Sequence, residues 1–164
     1  LSTAYHFIGP AAVRYPRGKG IGVNIASSLE AVEIGKGIIR KQGKTIAILC
    51  FGTLLHSALE AAKALDATVI DMRFVKPLDE SLILELVKTH QLLVTLEENT
   101  IMGGAGSAVN EFLQQQAILM HTLNLGLPDK YLDHGKHEQL LADCGLNAKG
   151  IELSIRQRLS LISQ

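Results

Sequence analysis

The stretch "LEENTIMGGAGSAVNEFL", residues 96–113, sets Gly103, Gly104 and Gly106 between an apolar run and an amphipathic one. A strand that turns into a helix through glycines leaves backbone N–H groups free at the helix start. The helix dipole favours an anion there, so the pattern could cradle a phosphate. Gly104 and Gly106 supply a G-x-G, but Val109 stands where the third glycine of a dinucleotide fingerprint belongs. No G-K-[ST] follows either. These departures favour a tight connection whose small residues let backbones approach. Glu97 and Glu98 close the preceding strand. Adjacent strand residues point to opposite faces, so the two carboxylates cannot act as an acid/base pair on one substrate. One of them could bond the N–H groups of the loop.

A second candidate is "RYPRG", where Arg14 and Arg17 flank Tyr15 and Pro16. An arginine at a strand end can fork onto a phosphate with two hydrogen bonds. The same residues suit an interface or a surface salt bridge equally well. The six histidines are scattered, and only His134 and His137 lie close together, near Asp133. They lack a third, distant ligand in a suitable context, so no metal-ligating residue is assigned. No G-x-S-x-G elbow is present, and neither Cys50 nor Cys144 has an evident histidine partner. No catalytic residue is assigned on these grounds.

Sixteen basic and sixteen acidic residues give a formal net charge of zero. Neither nucleic acid nor an anionic membrane is favoured as a partner. The basic cluster "RKQGK" reads as a solvated turn. Two unclustered cysteines argue against a zinc site and against a secreted disulfide scaffold. No apolar run approaches the ~18 residues of a membrane span, and the expected location is the cytoplasm. The chain opens on Leu1 and not on Met, which raises the expectation of a piece of something longer.

The elements that must position these residues follow from apolar periodicity. "TIAILCF", "ATVIDM", "QLLVTLEE" and "AILMHTLNLG" read as strands. "TLLHSALEAAKAL", "LDESLILELVKTH" and "GSAVNEFLQQQ" read as the helices between them. Such alternation predicts βαβ units, a parallel sheet and helices on both faces. Few aromatic residues in a chain that is 47% hydrophobic leave the core to Leu, Ile, Val and Ala. That composition is common where strands are buried on both sides. Ahead of this pattern, residues 11–13 read as a short strand broken by Pro16, and residues 16–29 as a linker rich in Gly, Ser and Asn. The run "VEIGKGIIRKQGKTIAILCFG" holds two apolar segments around "KQGK", which predicts consecutive antiparallel strands with Gly43 in the turn. Pro77 closes a strand-to-helix connection, Asp79 caps the helix after it, Gly145 stops a tail helix and Asn147 caps the last one.

Several stretches together resemble the 1-deoxy-D-xylulose-5-phosphate synthases, thiamine-diphosphate enzymes related to transketolase. They are "GPAAVRYPRG", "FGTLLHSALEAA", "DATVIDMRFVKPLDE", "LLVTLEENTIMGGAGSAVNEFL", "LNLGLPDKYLDHG" and "CGLNAKGI". "VIDMRFVKPLD" is shared more widely, with transketolases and ketoacid dehydrogenase β subunits. "RYPRG" together with "EENTIMGGAGSAVNEFL" is specific to the synthases.

The resemblance implies a three-layer α/β/α fold like the transketolase C-terminal domain. Its five-stranded mixed sheet has the first strand antiparallel to the rest and not paired with the next strand in sequence. It implies residues 1–18 as the end of a preceding pyrimidine-binding domain, 19–31 as a linker and 32–164 as the C-terminal-like domain. It also implies condensation of pyruvate with D-glyceraldehyde 3-phosphate, with loss of carbon dioxide. The product would be 1-deoxy-D-xylulose 5-phosphate, a precursor of isoprenoids, thiamine and pyridoxal phosphate. Thiamine diphosphate and Mg²⁺ would belong to the full-length enzyme and none to this chain alone, because the G-D-G…N segment and the activating glutamate are absent. The implied partners are the upstream cofactor-binding domains of the same polypeptide and a second copy in a homodimer. Arg17, and not Arg14, matches an arginine that binds the phosphate of glyceraldehyde 3-phosphate. The alternatives are the C-terminal domain of another transketolase-like or ketoacid dehydrogenase enzyme, or a stand-alone phosphate- or nucleotide-binding module.

Overall fold

A computed structural model describes residues 1–13, 20, 22 and 27–163. The chain divides into two units, Leu1–Ile34 and Gly35–Gln164. The first contains α1 (Ser2–His6), a short helix that no periodic signal announces. Ser2 Oγ donates to the Leu29 carbonyl at 2.6 Å, and Thr3 Oγ1 accepts from the Val32 N–H at 2.9 Å. The strand expected at residues 11–13 does not form. Among the described residues of this unit no second strand stands ready to pair with it. An unpaired strand leaves its N–H and C=O groups unbonded.

The second unit runs β1 (Ile38–Lys41), β2 (Ile46–Phe51), α2 (Leu55–Leu65), β3 (Thr68–Asp71), α3 (Glu80–Thr89), β4 (Leu92–Thr100), α4 (Ala105–Gln115), β5 (His121–Leu127), α5 (His137–Asp143) and α6 (Ala148–Ile162). One five-stranded sheet has the order β1-β3-β2-β4-β5. Strand β1 pairs antiparallel with β3, and the remaining pairs are parallel. This is the mixed α/β sheet that the resemblance implies.

The hairpin around "KQGK" does not form, because β3 lies between β1 and β2. Instead the chain crosses the start of β3. Gly43 donates its N–H to Thr68 Oγ1 at 3.0 Å, and the Lys44 N–H donates to the Asp66 carbonyl at 2.9 Å. Lys41 Nζ anchors the same crossing on the carbonyls of Ala62 and Ala67. A Cβ at position 43 would fall on the Asp66 carbonyl and the Ala67 backbone, so the crossing needs glycine for its close approach. A two-residue turn between neighbouring strands is thereby replaced by a backbone contact across a third strand.

Alternation along the strands builds two apolar layers. Ile46, Ile48 and Cys50 of β2 face one side, with α2 and α6 supplying Ala58, Ala62, Ile151 and Ile155. Ala47, Leu49 and Phe51 face the other, against Ile83 and Leu86 of α3 and Val109 and Phe112 of α4. Strand β2 is buried along its whole length, as a central parallel strand must be.

The helix ends follow local chemistry. Asp79 Oδ1 accepts from the Leu82 N–H at 3.2 Å and caps α3. Asn147 Oδ1 accepts from the Gly150 N–H at 2.8 Å and caps α6. Gly145, at φ +71°, follows α5. Burial pushes the Asp79 carboxyl up, but hydrogen bonds from Gly37, Ser81, Leu82 and Lys36 outweigh that and hold it below the usual carboxylate range. No helix among the described residues is long and apolar enough to cross a membrane.

The crossing at Gly43 yields a stability prediction. Gly43→Ala should destabilise the chain by about 1–3 kcal/mol, the usual cost of forcing a methyl group into filled space. Urea unfolding of the 164-residue chain checks it, and an unchanged midpoint would contradict the close approach.

Candidate functional site

In a sheet of this kind ligands gather outside the carboxyl ends of the parallel strands. Those ends carry the residues that follow Phe51 of β2 and Asp71 of β3, together with the last residues of β4 and the start of α4. The glycine turn therefore occupies the expected place for a phosphate cradle.

The helix start at that turn is already filled. Glu97 is only 3% exposed. Its Oε2 accepts from the Ala105 N–H at 2.8 Å and its Oε1 from the Gly106 N–H at 2.9 Å. A carboxylate at a helix N-terminus satisfies orphan donors and lies favourably in the helix dipole. The protein's own side chain thus takes the place of an external anion.

The glycines make room for this arrangement. A Cβ on Gly104 would strike the Glu97 carboxylate and the Thr100 carbonyl, and one on Gly106 would strike Asn124 Nδ2 and Thr95 Oγ1. Beneath the turn, Asn124 Nδ2 donates to Thr95 Oγ1 at 2.6 Å and Asn110 Nδ2 donates to Asn124 Oδ1 at 2.8 Å. This polar strip joins β4, β5 and α4. It leaves Asn110 Oδ1 as a buried atom without a partner among the described residues. The sequence pattern favoured the close-packed connection over the phosphate cradle, and the geometry agrees.

Glu98 points the other way, as strand alternation requires. The Thr53 hydroxyl donates to it, and His137 Nε2 lies 2.5 Å from its Oε1. Burial pushes the Glu98 carboxyl up, but the bonds from Thr53 and His137 outweigh it and hold the group below its usual range. The cluster ties the end of β4 to the β2–α2 loop and to the first residue of α5. His137 and Glu98 are separated by 39 residues, and nothing in either local stretch signals the pairing.

The other sequence candidates separate. Among the described residues no group of three or more His, Cys, Asp or Glu could hold a metal ion. His137 is engaged with Glu98, while Asp133 lines a different cleft with Lys130, Asp143 and Cys144. Cys50 is fully buried, and burial followed by the nearby Asp71 charge pushes its thiol far above the usual range. A thiol so held is no nucleophile at neutral pH. Arg14 and Arg17 lie outside the described residues. One polar residue escaped the sequence reading altogether. Arg73, at the end of β3, has φ +58° and donates from Nε and Nη2 to the Lys36 carbonyl at 2.9 and 2.7 Å.

The filled helix start generates a prediction. In Glu97→Gln one acceptor becomes an NH₂ facing a backbone N–H, which should cost about 1–3 kcal/mol for a buried unsatisfied pair. Equilibrium unfolding of the chain in urea measures it, and wild-type stability would show that the carboxylate is dispensable.

Residues 35–151 match the family model described as "Transketolase, C-terminal domain". Relatives named 1-deoxy-D-xylulose-5-phosphate synthase are similar over almost the whole chain. One from Pseudomonas fluorescens is 59% identical over 162 residues, covering 99% of this chain and 26% of its own length. One from Stutzerimonas stutzeri is 57% identical over 164 residues, covering 100% of this chain and 26% of its own. The chain therefore spans about a quarter of the length of the relatives it matches. Among solved structures, a chain described as "Split gene transketolase, inactive beta4 tetramer" superposes with a TM-score of 0.75 at 33% identity. That match covers 85% of this chain and 48% of the other. The matched residues contain the five-stranded sheet, the Glu97-filled glycine turn and helices α2 to α5, and on these grounds the chain belongs to the transketolase C-terminal domain family.

Proposed function

We propose that this chain is the C-terminal domain of a 1-deoxy-D-xylulose-5-phosphate synthase. The whole enzyme would condense pyruvate with D-glyceraldehyde 3-phosphate, release carbon dioxide and form 1-deoxy-D-xylulose 5-phosphate. The observation that carries the reading is the 59% identity to a synthase over 99% of the chain. In that enzyme the domain acts as a scaffold, and the cofactor-binding centre lies in the rest of the polypeptide.

Thiamine diphosphate and Mg²⁺ do not fit the residues described here. The helix start best placed to hold a diphosphate is occupied by the Glu97 carboxylate. The described residues also bring together no acidic or histidine set for a cation. We therefore assign both groups to the remaining three-quarters of the synthase, and no chemical step to this domain. The partners in this reading are the upstream domains of the same polypeptide and a second copy in a homodimer, in the cytoplasm. Residues 1–18 would complete the preceding domain, 19–31 would link it, and Arg17 would bind the aldehyde substrate's phosphate. The neighbouring split-gene transketolase, described as an inactive β4 tetramer, supports the view that a chain of this kind lacks activity by itself.

Two outcomes are expected. The 164-residue chain assayed alone with pyruvate, glyceraldehyde 3-phosphate, thiamine diphosphate and Mg²⁺ gives no turnover, and measurable product would sink the scaffold reading. In the whole synthase, Arg17→Ala raises the KM for glyceraldehyde 3-phosphate by about ten- to a hundred-fold, because a charged hydrogen bond contributes roughly 1.5–3 kcal/mol. The KM for pyruvate changes little. Steady-state kinetics with each substrate varied in turn decides it, and an unmoved aldehyde KM refutes the assignment of Arg17.

A further inference from the structure

Between β5 and α5, residues 128–136 leave the carboxyl end of the sheet as a loop. Its middle reads "DKYLDH", residues 129–134, and every one of these six is exposed. Tyr131 is fully so. Ile101 and Met102, which follow β4, are exposed as well. Ile101 and Leu132 line one cleft of about 390 Å³, together with Leu140 of α5. Large apolar side chains grouped in this way mark a contact with another protein more often than a free surface. Tyrosine and methionine are also the residues that interface centres favour, inside a charged rim.

The charged groups of the loop differ from Glu97 and Glu98 nearby. Among the described residues, Asp129, Lys130, Asp133 and His134 join no ion pair within the chain. Their order is self-complementary. Two copies of "DKYLDH" can run antiparallel about a twofold axis between positions 131 and 132. Lys130 then meets the partner's Asp133, and Asp129 meets the partner's His134, whose ring N–H can donate to a carboxylate. Tyr131 meets the partner's Leu132, which lines the apolar cleft. Symmetry makes each contact twice, as an isologous interface requires. The charge order thus specifies this same loop as the surface that fits it.

We propose that residues 129–134 form the centre of an interface with a second copy of this chain. Each copy's Tyr131 packs at the other's cleft, and each Lys130 pairs with the partner's Asp133. The synthase reading expects a second copy, and the loop supplies the face. The charge order carries the inference by itself, and its test reads mass and not turnover. A failure of association is therefore distinct from a failure of the synthase reading.

Sedimentation equilibrium of the 164-residue chain should give the mass of two copies. Lys130→Asp and Asp133→Lys each set like charges against one another across the twofold. Each should weaken association on the order of ten-fold or more. Both positions are exposed, so the fold should tolerate the changes. An equimolar mixture of the two variants should regain the affinity of the unaltered chain, because in a mixed pair every reversed charge again faces its opposite. Mixing does not rescue a misfolded chain. Tyr131→Ser should weaken association without recovery on mixing with either charge variant. A single-copy mass for the unaltered chain, the result if another domain of the synthase covers the loop, overturns the proposal. So does a two-copy mass that neither charge reversal moves, or a loss that mixing the two reversals does not restore.

Discussion

The bond between the Glu97 carboxylate and the first amides of α4 organises this half of the domain. It satisfies two helix N–H groups that would otherwise be orphaned in a buried place. It fixes the start of α4 over the end of β4, and so sets how Val109 and Phe112 enter the layer shared with α3. It also accounts for the glycines, because the carboxylate and the Thr95–Asn124 pair fill the space that side chains at positions 104 and 106 would need. A site with the outline of a phosphate cradle is in this way closed from inside.

The same economy of polar groups recurs across the sheet. Glu98, one residue on, turns to Thr53 and His137 on the opposite side. The buried carboxylates Glu97 and Asp79 are each held by backbone N–H groups, which is what makes a buried charge tolerable. At the carboxyl ends of the strands Glu97, Glu98, Arg73 and Asp79 are therefore engaged with the protein's own backbone and side chains. That arrangement suits a scaffold, and it agrees with the proposal that the chemistry of the synthase lies outside these residues.

Much of this was legible in the amino-acid order. The strands from Ile46 onward and the helices between them follow from apolar period, since a strand buried on both faces must be continuously apolar and an amphipathic helix cannot be. Asp79 and Asn147 were readable as caps because capping is a contact between near neighbours. The glycine turn was readable as close-packed because its motif fails at Val109. The hairpin at "KQGK" misled, because a glycine between two apolar runs looks the same whether it turns a hairpin or slips past the backbone at Asp66. The strand expected at residues 11–13 misled for a related reason, since apolar content cannot say whether a partner strand is at hand.

What the sequence alone determined is therefore local or periodic: the element types, the caps, the need for small residues before α4, and through its motifs the family. Tertiary structure decided which strand lies beside β1, which carboxylate reaches the α4 amides and which histidine meets Glu98. It also decided that one peptide at Lys36 is gripped by Arg73 and Asp79. These contacts join residues from eight to more than forty positions apart. No local preference encodes them, because each exists only once the sheet has brought the ends of its strands together.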